Sequence, residues 1–397
     1  MKKIIKNKKL NILIVGFGYV GYKTTIDLIF NSSHDMNIVI FDIDKNKLFE
    51  QSKRDDINKN IDRALKHAGV TITVDYLVDY DSNLYSKSSF NYQIFCINTD
   101  IKNNTPDLKP LVKAVLDWKH YYTEDGVLVI RSSTPPGTTR RLGKKLKRGS
   151  AHIPERFSPS NNEYFLENNI MGYNKLKKKK INELSDLFYL YKIEKNSDNT
   201  EFAKLYENFQ RRHNISLANV MHDIAYHNKL NFKKIDKLCK TKSNYISYKP
   251  GLIGGHCIGV DDYFLLLSRM KKTTKKIIKN IIKTNEKMDK LFYKKVKNYM
   301  IKRISKYSVY AKIGIYGLTY KPNVDDFRNS KALKIAKKIK KKFKKNIFLI
   351  DPAMENTNLI NDMDVIFILE KHKNAPSGYK CINVYSEILK GSQSEYR

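Results

Sequence analysis

Residues 11–21 read NILIVGFGYVG, and this stretch decides the fold. The apolar run at residues 12–15 has the character of a buried parallel strand. It leads into Gly16, Gly18 and Gly21, a G-x-G-x-x-G fingerprint that also contains Tyr19 and Val20. The first glycine permits a tight turn, and the second lets a pyrophosphate approach the backbone. The third allows close helix–strand packing, and the helix N-terminus that follows attracts phosphate charge. The fingerprint alone is a weak signal. Here a second strand at residues 37–41 ends at Asp42, 21 residues after Gly21. An acid at that distance is expected to bind the ribose hydroxyls of NAD and to repel a 2′-phosphate.

Outward from this stretch, the first half alternates strands with helices, the pattern of a doubly wound parallel sheet. Further strands are expected at residues 70–74, 92–97 and 127–131. Around Ser197 the pattern changes. Residues 200–228 keep a helical period, and a second helical stretch covers residues 271–305, about 50 Å at roughly 1.5 Å per residue. Strands resume at residues 312–316, 346–350 and 364–369. The outline is an α/β domain, a helical middle and a second α/β domain.

With 397 residues and 41% hydrophobic content, the chain can bury substantial cores. No apolar run approaches the roughly 20 residues of a membrane helix. A cleaved signal peptide would remove the glycine fingerprint, so none is expected. Cys96, Cys239, Cys257 and Cys381 are scattered without a CxxC pair, which fits a reducing, cytoplasmic setting and no bound metal. The net charge of +35 raises nucleic-acid binding as an alternative. The lysines lie in runs, such as residues 177–180, without interleaved stacking aromatics. They read as solvated faces rather than a nucleic-acid surface.

Residues 249–264 read KPGLIGGHCIGVDDYF. Glycines let a backbone pack close to a ligand, and a thiol beside a base in such a turn suits nucleophilic catalysis on a carbonyl. Lys204 and Asn208 lie four apart on an expected helix and so share a face. A cation and an amide donor side by side suit a developing oxyanion.

In six blocks the chain resembles the UDP-glucose/GDP-mannose dehydrogenase family, which oxidises the C6 alcohol of a nucleotide sugar to a carboxylate. The blocks are GFGYVG at Gly16, SSTPPGTT at Ser132, PERF at Pro154, FAKLYEN at Phe202, GGHCIGVD at Gly254 and GLTYKPNVDDFRNS at Gly317. The resemblance implies two Rossmann-like doubly wound domains joined by a helical middle with a long connecting helix. It assigns residues 1–196 to NAD binding, 197–305 to a central dimerisation and active-site domain, and 306–397 to UDP-sugar binding. It makes Cys257 the nucleophile of a thiohemiacetal and thioester, with Asp261 a base or water-orienting residue. Glu155 assists thioester hydrolysis. Lys204, Asn208, Lys249, Gly254 and Lys321 approach substrate, while Thr99, Ser133 and Arg328 join the cofactor site. A homodimer is implied as well.

The chain departs from the family pattern in places. Ser133 stands at the position of a catalytic threonine, which keeps the hydroxyl. Cys96-Ile97-Asn98-Thr99-Asp100 replaces C-V-P-T-P, so two prolines are lost. Asp261-Asp262 replaces the usual D-P. GGHCIGVD and PERF resemble the branch acting on UDP-N-acetylhexosamines more than the UDP-glucose branch, and Pro159 stands where the latter has a second glutamate. Alternatives are a UDP-glucose 6-dehydrogenase and a degenerate nucleotide-sugar-binding protein.

Overall fold

The computed structural model describes residues 9–30, 33–52, 55–77, 89–102, 105–156, 169–255, 258–343 and 346–389. Two compact units are present. Among the described residues, the first runs up to residue 156 and includes 169–206 and 263–268, and the second comprises 207–262 and 269–389.

Among the described residues, the first unit carries ten strands. These are β1 (Leu10–Val15), β2 (Met36–Phe41), β3 (Ile72–Leu77), β4 (Phe90–Phe95), β5 (Asp100–Lys102), β6 (Thr105–Asp107), β7 (Tyr122–Ile130), β8 (Ser150–His152), β9 (Asn169–Asn174) and β10 (Leu190–Lys195). Eight of them form one sheet in the order β10-β9-β8-β7-β4-β1-β2-β3, and β5 and β6 form a separate hairpin. Helices α1 (Tyr19–Phe30), α2 (Lys45–Ser52), α3 (Asp55–Ala68), α4 (Lys109–Asp117), α5 (Thr138–Lys145) and α6 (Lys178–Phe188) belong to this unit.

Strand alternation sorts the core. Ile12 and Ile14 pack on one face with Ile26 and Ile29 of α1 and Leu184 and Phe188 of α6. Leu13 and Val15 pack on the other with Leu111 and Val115 of α4 and Trp118. A strand covered on both faces reads as an unbroken apolar run, which is why β1 is legible as a buried parallel strand. Order reverses between β1 and β4, the crevice where open α/β sheets bind ligands.

The sheet is not wholly parallel: β9 runs antiparallel to β8, with Ala151 opposite Tyr173. The expectation of a parallel sheet covers the strands up to β8. Two added strands at the edge have a mixed pattern, with Tyr191 and Ile193 exposed on β10, so their apolar content is modest.

Helix α7 (Ser197–His227) starts in the first unit and ends in the second. Asn196, at φ 132, turns the chain, and its Oδ1 accepts the Asp198 N–H at 2.9 Å. The second unit continues with α8 (Phe232–Cys239), and α9 (Asp261–Leu265) crosses the division between units. The 33-residue α10 (Lys272–Ile304) follows. A four-stranded parallel sheet then forms from β11 (Ile313–Tyr316), β12 (Ile347–Ile350), β13 (Val365–Ile368) and β14 (Cys381–Asn383), in the order β12-β11-β13-β14. Helices α11 (Lys331–Phe343) and α12 (Val384–Leu389) cover it.

Phe292, Val296, Met300 and Ile304, each four residues apart, place one stripe of α10 in the core of this sheet. Thus the C-terminal half of the long helix is a structural layer of the second unit. Among the described residues, no helix is long and apolar enough to cross a membrane.

Candidate active site

Gly16 adopts φ +94, and a Cβ there would lie 2.7 Å from the Cys96 carbonyl oxygen. A Cβ on Gly21 would lie 1.9 Å from the Gly16 carbonyl oxygen, so neither position accepts a side chain. The Tyr22 N–H donates to the Gly18 carbonyl at 2.9 Å, which places Tyr19 and Val20 in the first turn of α1. Asp42 is buried; its Oδ2 accepts the Phe17 N–H at 2.5 Å and its Oδ1 the Asp44 N–H at 2.9 Å. The glycine loop, the helix N-terminus and the acid therefore form the cradle a dinucleotide requires.

Beside it, the end of β7 leads into the loop at residues 131–139. Thr99 donates from its hydroxyl to the Ser133 carbonyl at 2.9 Å, and Ser132 donates to the Ile97 carbonyl at 2.6 Å. These bonds tie the C-terminal ends of β4 and β7 together although the loop has lost its prolines.

Glu201 of α7 organises the rest of that loop. Its Oε1 accepts the Thr139 N–H and hydroxyl, both at 2.7 Å, and the Thr134 hydroxyl at 3.0 Å. Its Oε2 accepts the Gly137 N–H at 2.6 Å. Gly137 sits at φ +88, so a left-handed glycine is needed to present that N–H. Burial pushes the Glu201 carboxyl up to about 7, against the pull of the Thr139 and Gly137 donors.

Lys204 lies one turn further along α7. Its Nζ donates to the Glu155 carbonyl oxygen at 2.5 Å. The Glu155 carboxylate pairs with Arg131, whose side chain is fully buried and lies over the Phe188 ring, 5.1 Å from its centroid. His152, also buried, bonds Thr200 through Nδ1 at 3.0 Å, and burial lowers its imidazole to about 3. The first unit thus brings Lys204, Glu155, Thr99 and Ser133 onto one end of its sheet.

In the second unit, Asn208 donates from Nδ2 to Asp261 Oδ2 at 2.5 Å, with both residues buried. One turn further on, Arg212 pairs with Asp262. A Cβ on Gly254 would lie 2.9 Å from the Asn329 carbonyl oxygen. Gly255, at φ +83, packs against the Tyr320 ring. Tyr320 and Asn329 belong to the GLTYKPNVDDFRNS block, so two sequence blocks meet through glycine. Lys249 is exposed, Lys321 is half-buried, and Arg328 is exposed with its guanidinium bidentate on Asp326. Cys257 and His256 lie outside the described residues, as does Pro159.

Three residues were not singled out by the sequence. Glu201 precedes Lys204 by three and Asn208 by seven, a helical spacing that puts all three on one face. Arg131 ends the otherwise apolar run VLVIR, an unusual place for a cation that is not paired. Arg212 shares the face of Asn208 four residues on. Among the described residues, no cluster of His, Cys, Asp and Glu could hold a metal ion.

Three domain models of the UDP-glucose/GDP-mannose dehydrogenase family match in order. They are the NAD binding domain over residues 10–189, the central domain over 198–287 and the UDP binding domain over 314–388. A UDP-N-acetyl-D-mannosamine dehydrogenase of Methanocaldococcus jannaschii is 32% identical over 293 residues, 70% of this chain and 66% of that protein. A UDP-N-acetyl-D-glucosamine 6-dehydrogenase of Pseudomonas aeruginosa is 27% identical over 354 residues, 84% of this chain and 80% of that protein. The solved structure of a UDP-D-ManNAc dehydrogenase from Pyrococcus horikoshii has a TM-score of 0.71 at 25% identity, covering 92% of this chain and 90% of that one. With its dinucleotide cradle at the start of the first sheet and all three domain models in sequence order, the chain belongs to the UDP-glucose/GDP-mannose dehydrogenase family and is an NAD-dependent oxidoreductase.

Proposed function

We propose that the chain oxidises the C6 alcohol of a UDP-N-acetylhexosamine to the uronic acid, through a thiohemiacetal and a thioester on Cys257. The observation that carries the substrate class is the pair GGHCIGVD and PERF, joined by relatives named for UDP-N-acetyl-D-mannosamine and UDP-N-acetyl-D-glucosamine. Bound NAD supplies the hydride acceptor, one molecule for each of the two oxidations.

The protein's own residues do the remaining work. A base takes the C6 hydroxyl proton as the first hydride leaves, giving the aldehyde. The Cys257 thiolate adds to that carbonyl, so the reactive aldehyde stays bound. Loss of the second hydride gives a thioester. Water then attacks the thioester carbonyl, the C–S bond breaks to expel the Cys257 thiolate, and the uronic acid is released as its carboxylate. Lys204 and Asn208, one turn apart on α7, suit the oxyanions that form at C6 in the addition and hydrolysis steps. The bond from Asn208 to Asp261 supports an Asp261 carboxylate held for proton transfer or for orienting water. Ser133 and Glu155 are assigned to the water-handling side. Gly254 and Lys249 are assigned to the sugar nucleotide, together with Lys321. Arg328 is assigned to the cofactor.

The test is NADH absorbance with NAD and a panel of UDP-sugars. UDP-N-acetylhexosamines are expected to exceed UDP-glucose in kcat/KM by roughly 10–200-fold, the range for one well-packed group. Equal or better turnover of UDP-glucose rejects the branch and keeps the family. No turnover of any UDP-sugar by folded protein favours a degenerate binder. Cys257→Ser should abolish NADH formation while NAD and UDP-sugar still bind, because a serine hydroxyl is a poor nucleophile at neutral pH. Ordinary turnover in that variant removes Cys257 from the mechanism. A homodimer is proposed through α7, whose Leu217, Met221 and Ile224 expose an apolar stripe that association would cover. Sedimentation at monomer mass over the working concentration range rejects it.

A further inference from the structure

Helix α9, which follows the proposed nucleophile in the chain, opens on two adjacent buried carboxylates, Asp261 and Asp262. Only the first has a place in the proposed chemistry. Asp262 has a fully buried side chain, and Arg212 Nη1 donates to its Oδ2 at 2.9 Å. Arg212 is itself buried, and its Nη2 donates to Asp289 Oδ2 on α10 at 3.2 Å. Ser216 fixes the other Asp289 oxygen with a hydroxyl bond of 2.8 Å. One guanidinium therefore joins three segments of the second unit: α7, the start of α9 at residues 261–262, and α10.

The register of α7 links this bridge to the active site. Asn208 and Arg212 lie four residues apart on one helix face. They reach Asp261 and Asp262, which are consecutive in the chain. Two side chains a turn apart on α7 thus hold the first two residues of α9 by their carboxylates. In the family pattern a proline follows the aspartate and restricts the backbone through its ring. Here Asp262 stands in that place, and the restraint comes from an ion pair instead.

We propose that Arg212 is a positioning residue for the reaction, which clamps Asp262 to Asp289 and so aims Asp261 at the site. This rests on the functional reading above. Arg212 sends Nη1 to one carboxylate and Nη2 to the other, a spread of two donors that a single lysine ammonium at this position does not reproduce.

The experiment uses the full-length chain with NAD and its best UDP-sugar. Arg212→Lys keeps the charge but loses the fork. Asp262→Asn keeps the shape but loses the pair. Each should lower kcat about tenfold or more, with KM for UDP-sugar and Kd for NAD within about threefold of wild type, the pattern of a misaimed group. The rate at which iodoacetamide alkylates Cys257, read by mass spectrometry, should change by about threefold or more because the start of α9, a few residues further along the chain, is released. Arg212→Lys is the milder change and carries the test should Asp262→Asn fail to fold. Folded Arg212→Lys with kcat within twofold of wild type and unchanged alkylation overturns the proposal. Wild-type protein that reduces no NAD with any UDP-sugar overturns the functional reading instead. Alkylation of Cys257, which needs no substrate, then decides the positioning role by itself.

Discussion

Asp42 and Asp351 make the same bond in two different sheets. Each accepts, at 2.5 Å, the backbone N–H of the residue after a left-handed glycine. Phe17 follows Gly16 at φ +94, and Leu318 follows Gly317 at φ +78. Each acid stands directly after a strand that pairs in parallel with the glycine's own strand, β2 with β1 and β12 with β11. The carboxylate anchors the turn as it leaves the sheet, and only glycine takes that turn without strain. Each acid also accepts, through Oδ1 at 2.9 Å, the N–H two residues on, Asp44 for Asp42 and Ala353 for Asp351. Asp351 further accepts the Thr319 N–H at 3.2 Å and lies 3.3 Å from His372 Nε2. One loop design therefore serves both the NAD binding domain and the UDP binding domain.

The dual role of Asp42 separates two substitutions. Asp42→Asn keeps an acceptor for the Phe17 N–H but removes the charge. It should relax discrimination against NADP while weakening NAD only a few fold. Asp42→Ala also loses the loop bond and should weaken NAD by about tenfold or more, since a buried donor is left unsatisfied at a cost of about 1–3 kcal/mol. Titration of both cofactors by fluorescence checks this, and wild-type constants in both variants place the ribose elsewhere.

Lys204→Ala should lower kcat by about 10²–10³ and change KM for the UDP-sugar much less, the behaviour of a lost oxyanion partner. The variant also loses the bond to the Glu155 carbonyl. Steady-state kinetics distinguishes the outcomes, because an effect confined to KM makes Lys204 a ground-state binding group.

Glu201→Gln should disturb the loop at residues 131–139 more than its near-identical shape suggests. The carboxylate faces only donors: two N–H groups and two hydroxyls. Gln presents an NH₂ to some of them and leaves at least one buried donor unmatched, costing about 1–3 kcal/mol. A lower Tm by thermal unfolding, together with weaker NAD binding, is the expected result. An unchanged Tm shows that the hydroxyls reorient without cost.

His152 gives the fold a defined acid sensitivity. Burial lowers its imidazole to about 3, so the native state holds it neutral while the unfolded chain protonates it at its ordinary value. The unfolded state binds the extra proton between those values. The contribution is therefore fully present above the unfolded value and is lost as the pH falls. Between pH 7.5 and 5.5, about 1.4 kcal/mol of stability should disappear through this residue. Urea unfolding at the two pH values, compared with His152→Gln, measures the difference. Equal pH dependence in both proteins means that His152 is not the group responsible.

The glycine fingerprint, its distance to Asp42 and the pairing of Lys204 with Asn208 are legible in the sequence. The glycines and the Lys204–Asn208 spacing are local patterns a few positions apart, while Asp42 is reached through the regular length of one strand–helix–strand unit; β1, α7 and α10 are legible for the same reasons. Strand β10 is harder to read because an edge strand buries little, and the antiparallel pairing of β9 with β8 follows from no local pattern. Glu201 meets Thr139 across 62 residues, and Arg212 meets Asp262 and Asp289 across 50 and 77. No periodicity encodes such partners. A buried carboxylate or guanidinium is tolerable only where folding delivers its counterpart, and that meeting is decided by tertiary packing alone.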